Sequence, residues 1–128
     1  MTTSIDKILL RQDSSCEIPY CIGDVPTGTT ITQAWFVVKP DLADPDDQAL
    51  ISKTIFPGVT SSGQITDVGA SGTASLIFVL DDDDANALSI GTLYMSAVKV
   101  LLDSGLAYQP PYTRRPTRVV SSGIERVS

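Results

Sequence analysis

The stretch Ile31-Thr-Gln-Ala-Trp-Phe-Val-Val-Lys39 decides the fold. Aromatic and β-branched residues in an unbroken run are typical of a strand, and Pro40 ends it because proline donates no hydrogen bond to a sheet. Both faces of this strand are apolar, so we expect it to be central, or to place its second face against another surface. Alternation divides its apolar side chains into two sets: Ala34, Phe36 and Val38 on one face, and Ile31, Trp35 and Val37 on the other.

Short apolar segments separated by turn residues continue on both sides of this strand. One helical turn is predicted near 81–88, because Asp81 to Asp84 place acids at the end that the helix dipole favours. Many strands and one short helical turn predict an all-β fold, a single antiparallel β-sandwich. We expect the domain to span 1–120, with 1–15 as an arm or a first strand, and 121–128 to be a tail. The remaining predicted strands are 17–22, 50–56, 64–68, 73–80, 93–103, 107–112 and 117–120.

Composition limits the classes of function. A chain of 128 residues forms one domain, and its formal charge of −6 argues against binding to nucleic acid or to an anionic membrane. No apolar run approaches the ~20 residues that a membrane-spanning helix needs. The N-terminal residues lack the apolar segment and cleavage site of a signal peptide, so synthesis in a cytoplasm is expected.

The two cysteines, Cys16 and Cys21, are predicted to be buried free thiols. In an extended segment their Cα atoms would lie about 16 Å apart, too far for a disulfide. A bridge would require Pro19 and Tyr20 to turn the chain back. The chain contains no histidine, so a zinc site is not expected, and neither is any other cofactor.

Acidic residues form the only candidate metal site, and a weak one. Asp81, Asp82, Asp83 and Asp84, with Asp44, Asp46 and Asp47, offer oxygen ligands for Ca²⁺, but their spacing matches no EF-hand loop. A solvated helix terminus and a solvated loop explain these acids equally well. Because the clustered acids lie in turns and histidine is absent, the chain is not expected to be an enzyme.

The candidate partner-binding residues lie near the C-terminus and in the central strand: Trp35, Tyr108, Tyr112, Arg114, Arg115 and Arg118. Arginine and tyrosine are enriched where interfaces concentrate their binding energy. Two interpretations of the arginines remain open, a clamp on an acidic partner or protection of a sheet edge. A single tryptophan is more often core than interface, although the phase of Trp35 permits an interface role.

An ordered series of landmarks resembles the small Ig-like domain at the N-terminus of tailed-phage baseplate upper proteins. The series runs over roughly residues 16–120 and comprises Ile31-Thr-x-Ala34-x-Phe36-x-Val-Lys39, Asp44-Pro-Asp-Asp47, Ala49-Leu-Ile-x-Lys53-Thr54, Ala74-x-Leu76-x-Phe78, Ala87-Leu88, Gly91-x-x-Tyr94, and Val98-x-Val100 before Asp103-x-Gly105. The resemblance implies an Ig-like sandwich in a virion protein.

The resemblance also shapes the expected function. In the baseplate family a linker and a further domain follow this one, whereas this sequence stops soon after the sandwich. We therefore expect a non-enzymatic phage virion structural protein, a capsid cement or decoration subunit present in many copies or as a homo-oligomer. It would assemble in the host cytoplasm and dock on the major capsid protein or on a baseplate or tail protein. The alternatives are a baseplate or tail adaptor that docks a fibre, and a carbohydrate-binding module.

Overall fold

Two β-sheets pack face to face in the computed structural model, which describes residues 8–41, 49–58, 60–110 and 113–120. Of the segment 1–15, predicted as an arm or a first strand, residues 1–7 lie outside the described residues, as does the predicted tail at 121–128. In chain order the elements are β1 (Ile8–Arg11), β2 (Cys16–Ile22), β3 (Ile31–Lys39), β4 (Ile51–Ile55), β5 (Gly63–Asp67), β6 (Ala74–Leu80), α1 (Asp82–Asn86), β7 (Tyr94–Leu102), β8 (Ala107–Tyr108) and β9 (Arg115–Val120).

The larger sheet has the strand order β1-β9-β7-β3-β4, with β8 also paired to β7, and the smaller sheet has the order β2-β6-β5. β3 is central, as its two apolar faces predict, and β2, which contains Pro19, is an edge strand. The sandwich is antiparallel except for β1, which pairs in parallel with β9.

This strand order is that of an immunoglobulin sandwich. β2, β6 and β5 correspond to strands B, E and D, and β9, β7, β3 and β4 correspond to G, F, C and C′ of the variable type. The fold is therefore all-β and Ig-like, as predicted. The helical turn between β6 and β7 is shorter than the predicted 81–88 and runs from Asp82 to Asn86.

Three aromatic rings fill the centre of the core. Phe36 of β3 and Phe78 of β6 are fully buried, with ring centroids 5.3 Å apart, and Tyr20 of β2 lies 6.0 Å from Phe78. Ala34 and Val38 share the inward face of β3 with Phe36, as alternation predicts.

One face assignment in β3 is wrong. Ile31 was predicted on the face of Trp35, and it is fully buried in the core instead. The pairing register of β3 with β7 shifts between Ile31 and Gln33, so one extra residue is accommodated there. Such a bulge reverses the alternation on its far side, and Ile31 therefore points inward.

A polar network lies where antibody domains carry their disulfide. The hydroxyl of Tyr94 accepts a hydrogen bond from Ser89 N at 2.9 Å, which is the tyrosine corner of Ig folds. Ser96 lies two residues after Tyr94, in the position that the second cysteine has in antibody domains, and it is fully buried. Ser96 Oγ accepts from Thr117 Oγ1 at 2.9 Å and donates to the carbonyl of Arg115 at 3.2 Å. Hydrogen bonds thus join β7 and β9 at this point.

Both cysteines are free thiols, as predicted, but the prediction that they are buried is wrong for Cys21. Alternation in β2 turns Ile18, Tyr20 and Ile22 into the core, so Cys21 points to solvent. Cys16 is half-buried, and burial, followed by the nearby charge of Asp84, raises the pKa of its thiol. Both effects disfavour the reactive thiolate.

Candidate protein-binding face

The outward side of the larger sheet carries a band of apolar side chains across its two central strands. The register of β3 and β7 pairs Trp35 with Lys99 and Val37 with Ala97. Because the smaller sheet covers only the opposite side, these residues point away from the core. We call this outward side the outer face. It consists of the outward-pointing side chains of β1, β9, β7, β3 and β4.

A shallow pocket of about 170 Å³ lies at the centre of the outer face. Its walls include Trp35, Val37, Ser52, Ala97, Lys99 and Gln109. The Nζ atom of Lys99 lies 5.7 Å from the centroid of the Trp35 ring, within the range of a cation–π contact. Trp35 is half-buried, so its ring is partly available for contact. The apolar side chains of Trp35 and Val37 beside the ammonium group of Lys99 suit a partner that offers an apolar side chain next to a carboxylate.

The predicted arginine cluster is divided between two sides of the sheet. Arg118 is exposed on the outward side of β9, and Arg114, just before the strand, is also exposed. Arg115 has the opposite phase: it is half-buried, and its Cζ atom lies 4.1 Å from the centroid of the Tyr20 ring. Arg115 therefore bridges the two sheets, and Arg114 and Arg118 are the arginines of this cluster that face solvent.

A second apolar area adjoins Arg118 at the β1 edge of the outer face. Leu9 pairs with Arg118 in the sheet register, and both Leu9 and Leu93 are more than half exposed. With Ile8, Pro116 and Arg118 they line a depression of about 70 Å³. The outer face thus continues from the Trp35 pocket to this edge.

Tyr108 lies in β8, which pairs with β7. Its hydroxyl donates to the backbone carbonyl and to the Oδ1 carboxylate atom of Asp24, both at 3.5 Å. Burial, and then the Asp24 charge, raise the pKa of Tyr108. Its hydroxyl is thus occupied by a contact within the domain. Tyr112, the other predicted tyrosine, lies outside the described residues.

The aspartates of the helical turn act within the fold. The Asp81 carboxylate accepts from Asp84 N at 2.9 Å, and the Asp84 carboxylate accepts from Asp81 N at 2.9 Å, a capping box. The amide of Asp84, and then its side chain and Lys53, lower the pKa of Asp81. Asp84 also forms an ion pair with Lys53 at 2.8 Å.

The carboxylates of Asp81, Asp82 and Asp83 lie within 4.8 Å of one another and are exposed. The other predicted calcium candidates, Asp44, Asp46 and Asp47, lie outside the described residues. The contacts within the turn explain why the acids cluster there, since they cap the helix.

Sequence reasoning identified Trp35 and Arg118 but missed most of the outer face. Lys99, Ala97 and Met95 were not singled out, although their alternation with buried residues in β7 places them on one side. That alternation was the available signal. Without the register of β7 against β3, it could not show that Lys99 lies beside Trp35.

No protein family model matches the chain, and no curated protein is significantly similar to it. Two solved structures are similar at low scores. One comes from a study of multimeric cell-adhesive interactions of VGSC beta subunits, with 10% identity and a TM-score of 0.39, covering 91% of this chain and 90% of that chain. The other is a parallel homodimer of extracellular domains of the voltage-gated sodium channel beta4 subunit, with 14% identity and a TM-score of 0.35, covering 92% of this chain and 95% of that chain.

Among the described residues, no helix is long and apolar enough to cross a membrane.

Proposed function

We propose that this chain is a non-enzymatic structural protein of a tailed-phage virion, a capsid decoration subunit that docks through its outer face. The observation that carries the docking role is the outer face itself. There, a half-buried tryptophan lines a pocket of about 170 Å³ with an exposed lysine beside it. The virion context comes from the ordered landmarks in the sequence.

The composition of the outer face supports binding to a protein. Aromatic residues, methionine and arginine are enriched in interfaces, and Trp35, Met95 and Arg118 supply these three types. Tryptophan and arginine are also the residues whose truncation most often weakens a complex. The face lies on sheet strands, which hold their side chains in fixed positions and lower the entropic cost of binding.

The landmarks that carry the resemblance occupy regular elements. Ala34 and Phe36 lie in β3, Lys53 in β4, Phe78 in β6, and Tyr94 in β7. Their order along the chain is therefore also the order of the sandwich strands. The landmarks thus lie in strands of an Ig-like sandwich, which is the fold that the resemblance implies, and the virion context comes from the resemblance itself. On such a particle it would be present in many copies, with the major capsid protein as its partner.

A baseplate or tail adaptor is the second candidate, because the same face would serve a tail protein equally well. A carbohydrate-binding module is the third. Trp35 beside Ser52 and Gln109 offers an aromatic surface with neighbouring polar groups. The experiment below separates the three.

The test locates the chain in purified phage particles whose heads and tails have been separated on a density gradient. We expect it to accompany the heads in a constant ratio to the major capsid protein. Recovery with tails would favour the adaptor, and absence from both fractions would refute a virion role. A glycan array covers the third candidate, since carbohydrate binding without particle association would replace the proposal.

A pair of variants tests the face. Trp35→Ala should reduce the number of copies on the particle severalfold, because it removes the largest side chain of the pocket. Ile77→Ala is the matched control, since Ile77 is a half-buried apolar residue on the outward side of the smaller sheet. Equal copy numbers for the two variants would assign docking to another surface.

A further inference from the structure

We infer that the outer face recognises an acidic protein surface, an inference that rests on the proposed function and specifies its partner. Its basis is a division of charge between the two sheets. The strands of the smaller sheet contain Glu17 and Asp67 but no lysine or arginine. The strands of the larger sheet contain no aspartate or glutamate, and they carry six basic residues: Arg11, Lys39, Lys53, Lys99, Arg115 and Arg118.

Two of these six cations, Lys53 and Arg115, point inward. Lys53 pairs with Asp84, and Arg115 stacks on Tyr20 between the sheets. Alternation directs the other four outward. Arg11, Lys99 and Arg118 are exposed, whereas Lys39 is buried at the margin of the pocket. The outward charge of the sheet strands is therefore entirely positive.

The described carboxylates lie elsewhere, in turns, in α1 or on the smaller sheet. Asp13 is hydrogen-bonded to Asn86 of α1, which places it at the same end of the sandwich as Asp81, Asp82 and Asp83. With a formal charge of −6 on the whole chain, the outer face is a positive area on a negative molecule. An acidic partner is attracted to this face and repelled by the rest, so the charge selects one orientation of docking.

The apolar side chains beside the cations of the outer face favour a protein partner over a nucleic acid. Trp35 and Val37 lie on β3, beside Lys99 and Ala97 of the neighbouring strand β7, and Leu9 adjoins Arg118 on the other side of β7. Phosphate groups would leave these apolar side chains without a partner, and the net charge opposes a polyanion. A protein surface that alternates carboxylates with apolar side chains satisfies both kinds of group.

The experiment uses the full chain and a labelled synthetic peptide in which glutamate alternates with leucine and tryptophan. Its control peptide carries glutamine in place of glutamate. We expect the protein to bind the acidic peptide in preference to the control, with an affinity that falls as salt rises from about 0.05 M to about 0.5 M. Lys99→Gln combined with Arg118→Gln should weaken binding roughly tenfold, since two charge contacts are lost.

A second double variant controls for net charge. Ala70→Glu with Ser71→Glu changes the total charge by the same amount in an exposed turn of the smaller sheet. It should leave peptide affinity within about twofold, because charges that far from the face are screened. Equal weakening by both double variants would show that only total charge matters and would overturn the inference.

Three further results would also overturn it: equal binding of the two peptides, tighter binding of duplex DNA than of the acidic peptide, or self-association of the protein that Lys99→Gln with Arg118→Gln abolishes. The last would assign the face to a second copy. Particle association remains a separate readout. If the wild-type protein is found on particles but does not prefer the acidic peptide, this inference alone is refuted. If the protein prefers the acidic peptide but is absent from particles, only the virion role is refuted.

Discussion

Arg115→Ser should destabilise the domain, whereas Arg114→Ser and Arg118→Ser should not. The guanidinium of Arg115 lies 4.1 Å from the centroid of the Tyr20 ring and is half-buried between the sheets. A partly desolvated cation–π contact contributes about 1–2 kcal/mol, and the aliphatic part of the side chain adds packing. The two exposed arginines should each cost less than about 0.5 kcal/mol.

Urea denaturation followed by far-UV circular dichroism measures these free energies of unfolding. For a domain of this size, a loss of 1 kcal/mol corresponds to a decrease of about 3–6 °C in melting temperature, so Arg115→Ser is distinguishable in a thermal scan as well. Arg114→Ser and Arg118→Ser are matched controls, because they remove the same side chain from the same segment. The slope of the free energy of unfolding against urea concentration should be the same for the wild type and the variants if the fold is unchanged.

A double-mutant cycle with Tyr20→Leu isolates the contact itself. If Arg115 stabilises the domain through the Tyr20 ring, Arg115→Ser should lower the free energy of unfolding by about 1 kcal/mol less in the Tyr20→Leu variant than in the wild type. Equal effects of the three arginines, or additivity in the cycle, would refute the argument. Replacing all three arginines at once would combine a loss of stability with a loss of outward charge.

Three other properties follow from the interior and from the helical turn. Phe36→Ala and Phe78→Ala should each lower the free energy of unfolding by about 3–5 kcal/mol, because both rings are fully buried; losses below about 1 kcal/mol at both would mean that the core is placed wrongly. Dithiothreitol should leave the melting temperature unchanged, since both cysteines are free, and a reductant-dependent decrease would reveal a bridge. Calcium and EDTA should likewise have no effect, because Asp81 and Asp84 already accept backbone amides; a calcium-dependent rise would indicate a site.

Local pattern was sufficient to predict β3 because its side chains alternate without interruption from Ala34 to Val38. It failed at Ile31, three residues earlier, because a bulge is a property of the pairing with β7 and leaves no mark in the sequence of one strand. The parallel pairing of β1 with β9 was missed for the same reason. Contacts between distant segments decide both features.

In the candidate site, too, some features follow from the local sequence pattern and others depend on contacts between distant segments. Strand phase alone separates Arg115 from Arg118: Thr117 and Val119 are buried, so Arg115 shares their side and Arg118 does not. Treating the arginines as one cluster ignored that phase. The neighbourhood of Trp35 and Lys99, by contrast, depends on the register of two strands that lie far apart in the sequence, and only the assembled sheet shows it.

β9 connects the interior of the sandwich to its outer face. On its inward side, Thr117 donates to Ser96 of β7 at 2.9 Å within the larger sheet, and Arg115 stacks on Tyr20 of β2, so the strand also contacts the smaller sheet. Among the described residues, every buried side-chain nitrogen or oxygen atom has a hydrogen-bond partner, so this network leaves no unsatisfied polar group. On its outward side the same strand presents Arg118. A change that loosens the inward side of β9 should therefore also misplace Arg118 on the outer face.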